Sequence, residues 1–238
     1  MITKQLIVYL LACMGLLACS ASSVTIEGKD GINRQKEYYL YGCQAGSLIP
    51  IASALIDSNG CFRLNVPLPQ EGFYLLGTEQ GVMHPFYLKG NETIRLRFQT
   101  NGMILEGEQT PENQALSQWE QAATLVREHA FLYERFGGGY STDPATFTQE
   151  LEDLLRVRQQ LKPEKATGNA TFNSLLKAKM EADVDFYALA YLQRNAGNLS
   201  DTIRLSNYYQ KMQPEKTLQQ PALLQLPYAG EMLRTYVW

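Results

Sequence analysis

The sequence predicts an α+β fold, in which an N-terminal antiparallel β-sandwich is followed by a C-terminal all-helical segment of four to five helices. Between residues 24 and 108, short runs rich in aromatic and β-branched residues are separated by glycine, proline or asparagine. From residue 109 onward the apolar residues recur instead at steps of three and four, which is the period of an amphipathic helix. We therefore expect a sandwich domain over 24–108 and a helical domain over 109–238.

The first half contains eight candidate strands. Period-two alternation is clearest over 62–66 and 94–98, where apolar residues alternate with Arg63, Arg95 and Arg97. Because successive side chains of a strand point to opposite faces, we expect one packed and one wet face on each strand, as in an antiparallel sandwich. The expected strands are 24–28, 37–43, 51–56, 62–66, 73–76, 86–88, 94–98 and 103–105.

The segment Asp57-Ser58-Asn59-Gly60 resembles both a turn and the start of a calcium loop. A full EF-hand loop needs a third oxygen ligand and a distal glutamate, yet Cys61 occupies the next ligand position. Asn-Gly tolerates the positive φ angles of a two-residue type I′ turn, and apolar strands flank it on both sides. We therefore expect a β-hairpin here and no metal site.

Capping residues mark the helices of the second half. Thr110-Pro111-Glu112 supplies a hydroxyl cap, a proline at the first helical position and a carboxylate near the positive end of the helix dipole. Asp143-Pro144 starts the second helix in the same way. The first expected helix begins at about 111 and ends before the glycines 137–139, and the second runs from 144 to before Pro163. The third runs from 170 to 195, with Gly197 as a cap. The fourth runs from Ser200-Asp201 to before Pro214, and the last runs from 227 to 238.

Residues 1–18 have the features of a lipoprotein signal peptide. Lys4 supplies a positive N-terminal region, an apolar run covers 6–17, and small Ala18 precedes Cys19. The run is shorter than the roughly 20 residues that span a bilayer. An ordinary secretory leader that happens to contain a cysteine is the alternative. We expect a lipidated Cys19, a tether over 19–23, and a protein held by membrane lipid in the cell envelope, on the inner or outer membrane and facing the periplasm.

The charge of the chain bears on its partners. The formal net charge is −3, and loss of Lys4 with the signal peptide makes it about −4. An acidic chain lacks the basic surface that attracts nucleic acid, so no nucleic acid is expected as a partner.

Two cysteines, Cys43 and Cys61, remain once Cys13 leaves with the signal peptide and Cys19 is lipidated. They do not form a Cys-x-x-Cys redox pair. In an oxidising envelope they can form a structural disulfide that closes a loop of about 18 residues and stabilises the fold by up to roughly 3 kcal/mol. Two unpaired thiols on strands are the alternative, and the sequence leaves both open.

Nucleophilic catalysis by serine or cysteine requires a base, and the chain contains 2 histidines, His84 and His129. His84 falls in a strand beside Pro85, and His129 falls on a helix face beside Glu128. The sequence contains no Gly-x-Ser-x-Gly motif that would present a nucleophile. We therefore expect both histidines to be structural.

Other groups that could carry chemistry also have structural explanations. Glu150, Glu152 and Asp153 share a helical face with arginines, which is typical of a salt-bridged surface. The glycines 137–139 follow a helix rather than a strand and have no lysine beside them, unlike a phosphate-binding loop. We predict no catalytic, cofactor-binding or metal-ligating residue in this chain.

Several short motifs occur in a definite order. They are the lipobox ending at Cys19, Val-Thr-Ile-Glu-Gly at 24–28, Leu-Ile-Asp-Ser-Asn-Gly-Cys-Phe-Arg-Leu at 55–64, Gly-Phe-Tyr at 72–74 and the segment 108–113. This arrangement resembles a β-rich domain of unknown function that precedes thioredoxin-like domains in envelope lipoproteins of Gram-negative bacteria, usually with a helical segment between them. The resemblance covers most of residues 19–238.

Members of that family carry a catalytic Trp-Cys-x-x-Cys in the thioredoxin-like domain, and this sequence ends at Trp238 without that motif. The resemblance therefore implies architecture and location but no catalytic residue. We expect the non-catalytic accessory and anchoring region of a thioredoxin-like thiol:disulfide oxidoreductase, as a fragment or shortened paralogue. Its partners would be envelope proteins or a thioredoxin-like domain.

A stand-alone lipoprotein that binds a glycan or a peptide is the second hypothesis. The aromatic group Tyr38, Tyr39 and Tyr41 has side chains that can stack on a sugar, although strands favour tyrosine in any case.

Overall fold

The structure is a computed structural model that describes residues 22–31, 37–79, 83–99, 102–135, 142–195 and 207–237. It confirms the α+β fold class, with two four-stranded sheets followed by helices. All eight expected strands are present. They are β1 Ser23–Asp30, β2 Glu37–Gln44, β3 Ser47–Leu55, β4 Cys61–Pro67, β5 Gly72–Gly77, β6 His84–Leu88, β7 Glu92–Gln99 and β8 Gly102–Glu106.

The helical half contains more helices in its described part than the four to five expected. The six α-helices there are α1 Pro111–Arg135, α2 Pro144–Leu161, α3 Ala170–Arg194, α4 Asn207–Lys211, α5 Pro214–Leu218 and α6 Ala229–Val237, with 3₁₀ turns at Pro163–Lys165 and Pro221–Gln225. Helix α4 ends before Pro214 as expected, and Pro214 then opens α5, because proline fits the first helical position, where no N–H bond is needed. The expected caps at 137–139, Gly197, Ser200 and Asp201 lie outside the described residues.

The strands form two sheets, with the order β4-β1-β7-β8 in sheet A and β3-β2-β5-β6 in sheet B. Pairing is antiparallel except between β1 and β7, which run parallel from Val24 beside Glu92 to Asp30 beside Phe98. The sandwich is therefore mostly antiparallel, as expected, with one parallel pair among the described strands. After β6 in sheet B, the chain returns to sheet A beside the first residues of β1. The Asn91 N–H donates a hydrogen bond to the Ser23 carbonyl at this point. Because β7 starts beside the start of β1, the two strands run in the same direction.

The expected hairpin at Asn59-Gly60 is a turn, but it does not join paired strands, because β3 lies in sheet B and β4 in sheet A. Its geometry is set by Asp57, whose carboxylate accepts the N–H groups of Asn59 and Cys61, both at 2.8 Å. Gly60 has a φ of 78°, which suits glycine. The two-residue hairpin with positive φ at both positions occurs instead at Ala45 and Gly46, between β2 and β3.

The facing sides of the two sheets enclose the sandwich core. Tyr38 of β2 is stacked between Phe62 and Phe98 of sheet A, with ring centroids 4.4 and 4.6 Å away. Its hydroxyl donates a 2.8 Å hydrogen bond to buried Asp30. Tyr38 thus fixes how the two sheets stack on each other.

The helices pack against the outer side of sheet B. Phe73 and Tyr87, which point outward from β5 and β6, belong to the same buried apolar cluster as the helices. Phe172 at the start of α3 makes edge-on ring contacts with both, at 6.3 and 4.9 Å between centroids. None of the helices in the described ranges is both long and apolar enough to cross a membrane.

Candidate functional site

The predicted lipidation residue Cys19 lies outside the described residues, which begin at Ser22. The Ser22 carbonyl accepts the N–H of Leu68, and the Ser23 carbonyl accepts the N–H of Asn91, each at 2.7 Å. The sandwich therefore begins within the predicted 19–23 tether. Any group attached at Cys19 would lie within about 14 Å of β1 along the chain.

Cys43 and Cys61, the pair considered for a disulfide, are free thiols in this structure. Cys43 is opposite Leu48 at one end of β3, whereas Cys61 follows the turn after Leu55 at its other end. This stretch of extended strand separates the two residues by roughly 20 Å, and a disulfide requires Cα atoms less than about 7 Å apart. The alternative of two unpaired thiols therefore describes this structure.

The two thiols point to the outer sides of different sheets. Cys43 Sγ lies 3.5 Å from the Leu224 carbonyl, beneath the second 3₁₀ turn, and burial raises the pKa of this thiol. Cys61 lies opposite Lys29 on the outer side of sheet A. Neither lies beside the resolving cysteine that thiol–disulfide exchange requires, since the two are on different sheets.

His84 contacts structural rather than catalytic groups. Its ring lies 5.4 Å from that of Phe98. Burial and the positive charge of Arg127 lower its pKa, although Glu120 acts in the opposite direction. This position favours the neutral imidazole at the contact between β6 and α1.

His129 joins two helices through a carboxylate. Its Nδ1 lies 2.7 Å from Oε2 of Glu150, which links α1 to α2. Of the three acidic residues expected on a wet face, Asp153 is exposed and pairs with Arg156 at 2.6 Å, whereas Glu150 is mostly covered through its contact with His129. The expectation of a wholly solvated acidic face is thus wrong for Glu150.

A buried charge cluster in the helical half was not predicted from the sequence. We use this name for Trp119, Glu120, Arg127, Lys179, Asp183 and Tyr228. Asp183 is fully buried and accepts hydrogen bonds from Trp119 Nε1 at 2.6 Å, from Lys179 Nζ at 2.8 Å and from the Tyr228 hydroxyl. Lys179 Nζ also lies 2.9 Å from Glu120, whose other oxygen accepts Arg127 at 2.7 Å.

The buried charge cluster contains two cations and two carboxylates, so its charges balance. Burial opposes ionisation of Glu120, but the charges of Lys179 and Arg127 outweigh it and lower its pKa. Burial likewise opposes the charged form of Lys179, but the negative charges of Asp183 and Glu120 outweigh the effect of burial and raise the pKa of Lys179. With every charge compensated, the cluster is suited to holding α1, α3 and the segment before α6 together rather than to moving a proton.

The outer side of sheet A is an open, charged surface. We call it the basic face, formed by the cations Lys29, Arg63, Arg95 and Arg97 with the carboxylates Glu27 and Glu106. Glu27 lies 3.5 Å from Arg63 and 3.0 Å from Arg95. An open groove of about 480 Å³ runs across this face.

The three tyrosines of β2 do not act as one aromatic group. Tyr38 points into the core, whereas Tyr39 and Tyr41 point outward with ring centroids 6.0 Å apart. The Tyr39 hydroxyl donates to Glu37 at 2.7 Å, which raises its pKa to about 12. The outward pair is thus the part of the predicted aromatic group that a sugar could reach.

Asn113 of α1 closes the outer edge of strand β6. Its side-chain oxygen accepts the N–H of Tyr87 at 2.8 Å, and its Nδ2 donates to the Tyr87 carbonyl at 2.9 Å. The side-chain amide thereby substitutes for a neighbouring strand. It also connects the two halves of the chain.

A scan against protein-family models and a search of curated proteins both give no match for this chain. Among the described residues, no three His, Cys, Asp or Glu side chains are grouped so that they could hold a metal ion.

Proposed function

We propose that this chain is a lipid-anchored protein of the cell envelope that acts as the non-catalytic accessory and anchoring region of a thioredoxin-like thiol:disulfide oxidoreductase. One observation carries the anchoring role: Ser22 and Ser23 are already hydrogen-bonded into the sandwich only three and four residues after Cys19. A diacylated Cys19 would hold the sandwich directly at the membrane surface.

Two features support a scaffolding rather than a catalytic role. The aromatic contacts of Phe172 with Phe73 and Tyr87 and the amide pair of Asn113 connect the helices to sheet B, so an anchor on β1 would also position the helices. The buried charge cluster has compensated charges and joins helices. Such a unit is suited to holding a partner at a defined distance from the membrane.

The anchoring role is tested by labelling cells with radioactive palmitate and following the full chain. We expect label in the wild type and in Cys13→Ser, and neither label nor membrane retention in Cys19→Ser. Cys13→Ser is the matched control because Cys13, unlike Cys19, lies within the leader and is removed with it. Unlabelled wild-type protein would contradict the proposal.

The accessory role is tested by reading the gene beyond Trp238 and by cross-linking in intact envelopes. We expect a thioredoxin-like domain either encoded directly downstream or recovered as a cross-linked partner. The purified chain should not catalyse insulin reduction by dithiothreitol. Catalysis by this chain alone, or the absence of any thioredoxin-like partner in both experiments, would contradict it.

A stand-alone glycan- or peptide-binding lipoprotein is the second candidate, favoured by the outward pair Tyr39 and Tyr41. A panel of envelope glycans and peptides that gives no thermal shift would count against it. A shift that disappears in Tyr41→Ala would support it.

A further inference from the structure

The basic face of sheet A has a charge opposite to that of the chain as a whole. It contains four cations and two carboxylates, and Asp57 adds a third carboxylate at its groove, whereas the whole sequence has a formal net charge of −3. The side chains of Arg63 and Arg95 are 68% and 62% exposed and share the single carboxylate of Glu27, while Arg97 pairs with Glu106 at 2.6 Å. The face therefore has a cationic excess that internal pairing does not neutralise.

Among the residues that the structure describes, no helix packs extensively against this face. The helices contact sheet B, through α1 on β6 and through the second 3₁₀ turn on β2. An uncovered, positively charged sheet surface is suited to an anionic partner, because charge complementarity guides and orients association.

The position of the predicted anchor identifies that partner. β1 is a central strand of sheet A, and its residues Glu27 and Lys29 belong to the basic face. Because only a few residues separate Cys19 from Ser23, a lipid at Cys19 would hold this face near the bilayer, within about 14 Å at the start of β1. The value of about 14 Å is a maximum, so the face can approach the bilayer more closely, and basic residues that come within the Debye length of about 8 Å at physiological ionic strength are attracted to anionic lipid.

We propose that the basic face is the membrane-facing surface of the protein, and that it lies on anionic phospholipid headgroups with the helices directed away from the bilayer. The inference rests on the proposed function, because it takes Cys19 as the lipid anchor. It adds an orientation: Lys29, Arg95 and Arg97 contact lipid, while the helices remain open to a partner.

The two native thiols provide the test, because Cys61 lies on the basic face and Cys43 on the outer side of sheet B. The full acylated chain is reconstituted in phosphatidylcholine vesicles with or without phosphatidylglycerol, and each thiol is modified with a water-soluble maleimide. We expect phosphatidylglycerol to slow modification of Cys61 by roughly fivefold or more and to leave Cys43 unchanged. Salt at roughly 1 M, where the Debye length is about 3 Å, should restore the rate at Cys61.

The double variant Arg95→Gln and Arg97→Gln should lose the protection of Cys61. Arg156→Gln should keep it, because Arg156 is similarly exposed, at 59%, but lies on α2. Unfolding in urea confirms that each variant is folded. Equal rates at Cys61 on both kinds of vesicle, or equal slowing of both thiols, would overturn the inference.

Flotation of the vesicles separates this inference from the proposed function. A chain that does not float with vesicles lacks its anchor, which overturns both. A chain that floats while Cys61 remains equally open with and without phosphatidylglycerol overturns the orientation alone.

Discussion

The indole Nε1 of Trp119 donates a 2.6 Å hydrogen bond to Oδ2 of Asp183, and both side chains are fully buried. The same carboxylate receives Lys179 from one helical turn away and the hydroxyl of Tyr228. A single buried carboxylate thus connects α1, α3 and the segment before α6. Removing it would leave the ammonium group of Lys179 with one carboxylate instead of two.

Asp183→Ala is expected to reduce the free energy of unfolding by about 3–5 kcal/mol, because it removes one partner of a buried ion pair. Urea denaturation followed by circular dichroism measures the loss. Asp153→Ala is the control, because its pair with Arg156 is exposed and such pairs contribute about 0–1 kcal/mol. Similar losses in the two variants would show that the buried charge cluster is not a structural joint.

Asn113→Ala is expected to reduce the free energy of unfolding by about 1–3 kcal/mol, because it leaves the N–H and carbonyl of Tyr87 without this partner. The amide proton of Tyr87 should also exchange faster with solvent. Gln114→Ala, at the exposed neighbouring position, should change neither quantity. Unchanged exchange at Tyr87 in Asn113→Ala would contradict the edge-closing role.

The strands were predictable because alternation is a local property of the sequence. All eight overlap the predicted strands, although β3 begins four residues earlier than predicted and β1 and β7 are longer at their ends. Pairing is not local, and no pattern in the sequence indicates that β1 lies beside β7. The Asn59-Gly60 turn illustrates the same limit, since its residues favour a turn without specifying whether the next strand stays in the same sheet.

The buried charge cluster was missed for a related reason. Lys179 and Asp183 are four residues apart on α3, and this spacing is equally typical of an exposed ion pair on a helix. Only the packing of α1 and Tyr228 around them makes the pair buried. The apolar residues on nearly every side of α3 are the one sequence signal that could have indicated burial.

Gly28→Ala is expected to reduce the free energy of unfolding by about 1–3 kcal/mol through overpacking. A Cβ at Gly28 would lie 2.1 Å from ring atoms of Phe62, and that ring is held in place by its stack with Tyr38. Gly72→Ala is the control within the same sandwich, because a Cβ there meets no atom within 4 Å. Thermal unfolding of both variants measures the difference, and an equal effect would contradict the close packing of β1 on Phe62.

Both cysteines of the sandwich are expected to react as free thiols in the native protein. Non-reducing mass spectrometry after alkylation should show two modified residues, Cys43 and Cys61. Cys43 should react more slowly, because burial raises its pKa and its sulfur lies beneath the Leu224 carbonyl. A disulfide between Cys43 and Cys61, found in protein isolated from an oxidising envelope, would contradict this structure. The strand register places the two residues near opposite ends of β3.

The stability of the protein is expected to fall as the pH drops below about 6.5, in part through His84. Burial and the charge of Arg127 lower the pKa of His84 in the folded protein. Below the pKa that His84 has in the unfolded chain, the unfolded chain therefore binds a proton at His84 more readily than the folded protein does. The free energy of unfolding therefore decreases from about pH 6.5 downward until the pH passes the folded pKa. Urea denaturation of wild type and His84→Gln over this range measures the effect. The free energy of unfolding of His84→Gln should fall less steeply with decreasing pH than that of the wild type. Equal slopes for the two proteins would show that the pKa of His84 does not differ between the folded and unfolded states.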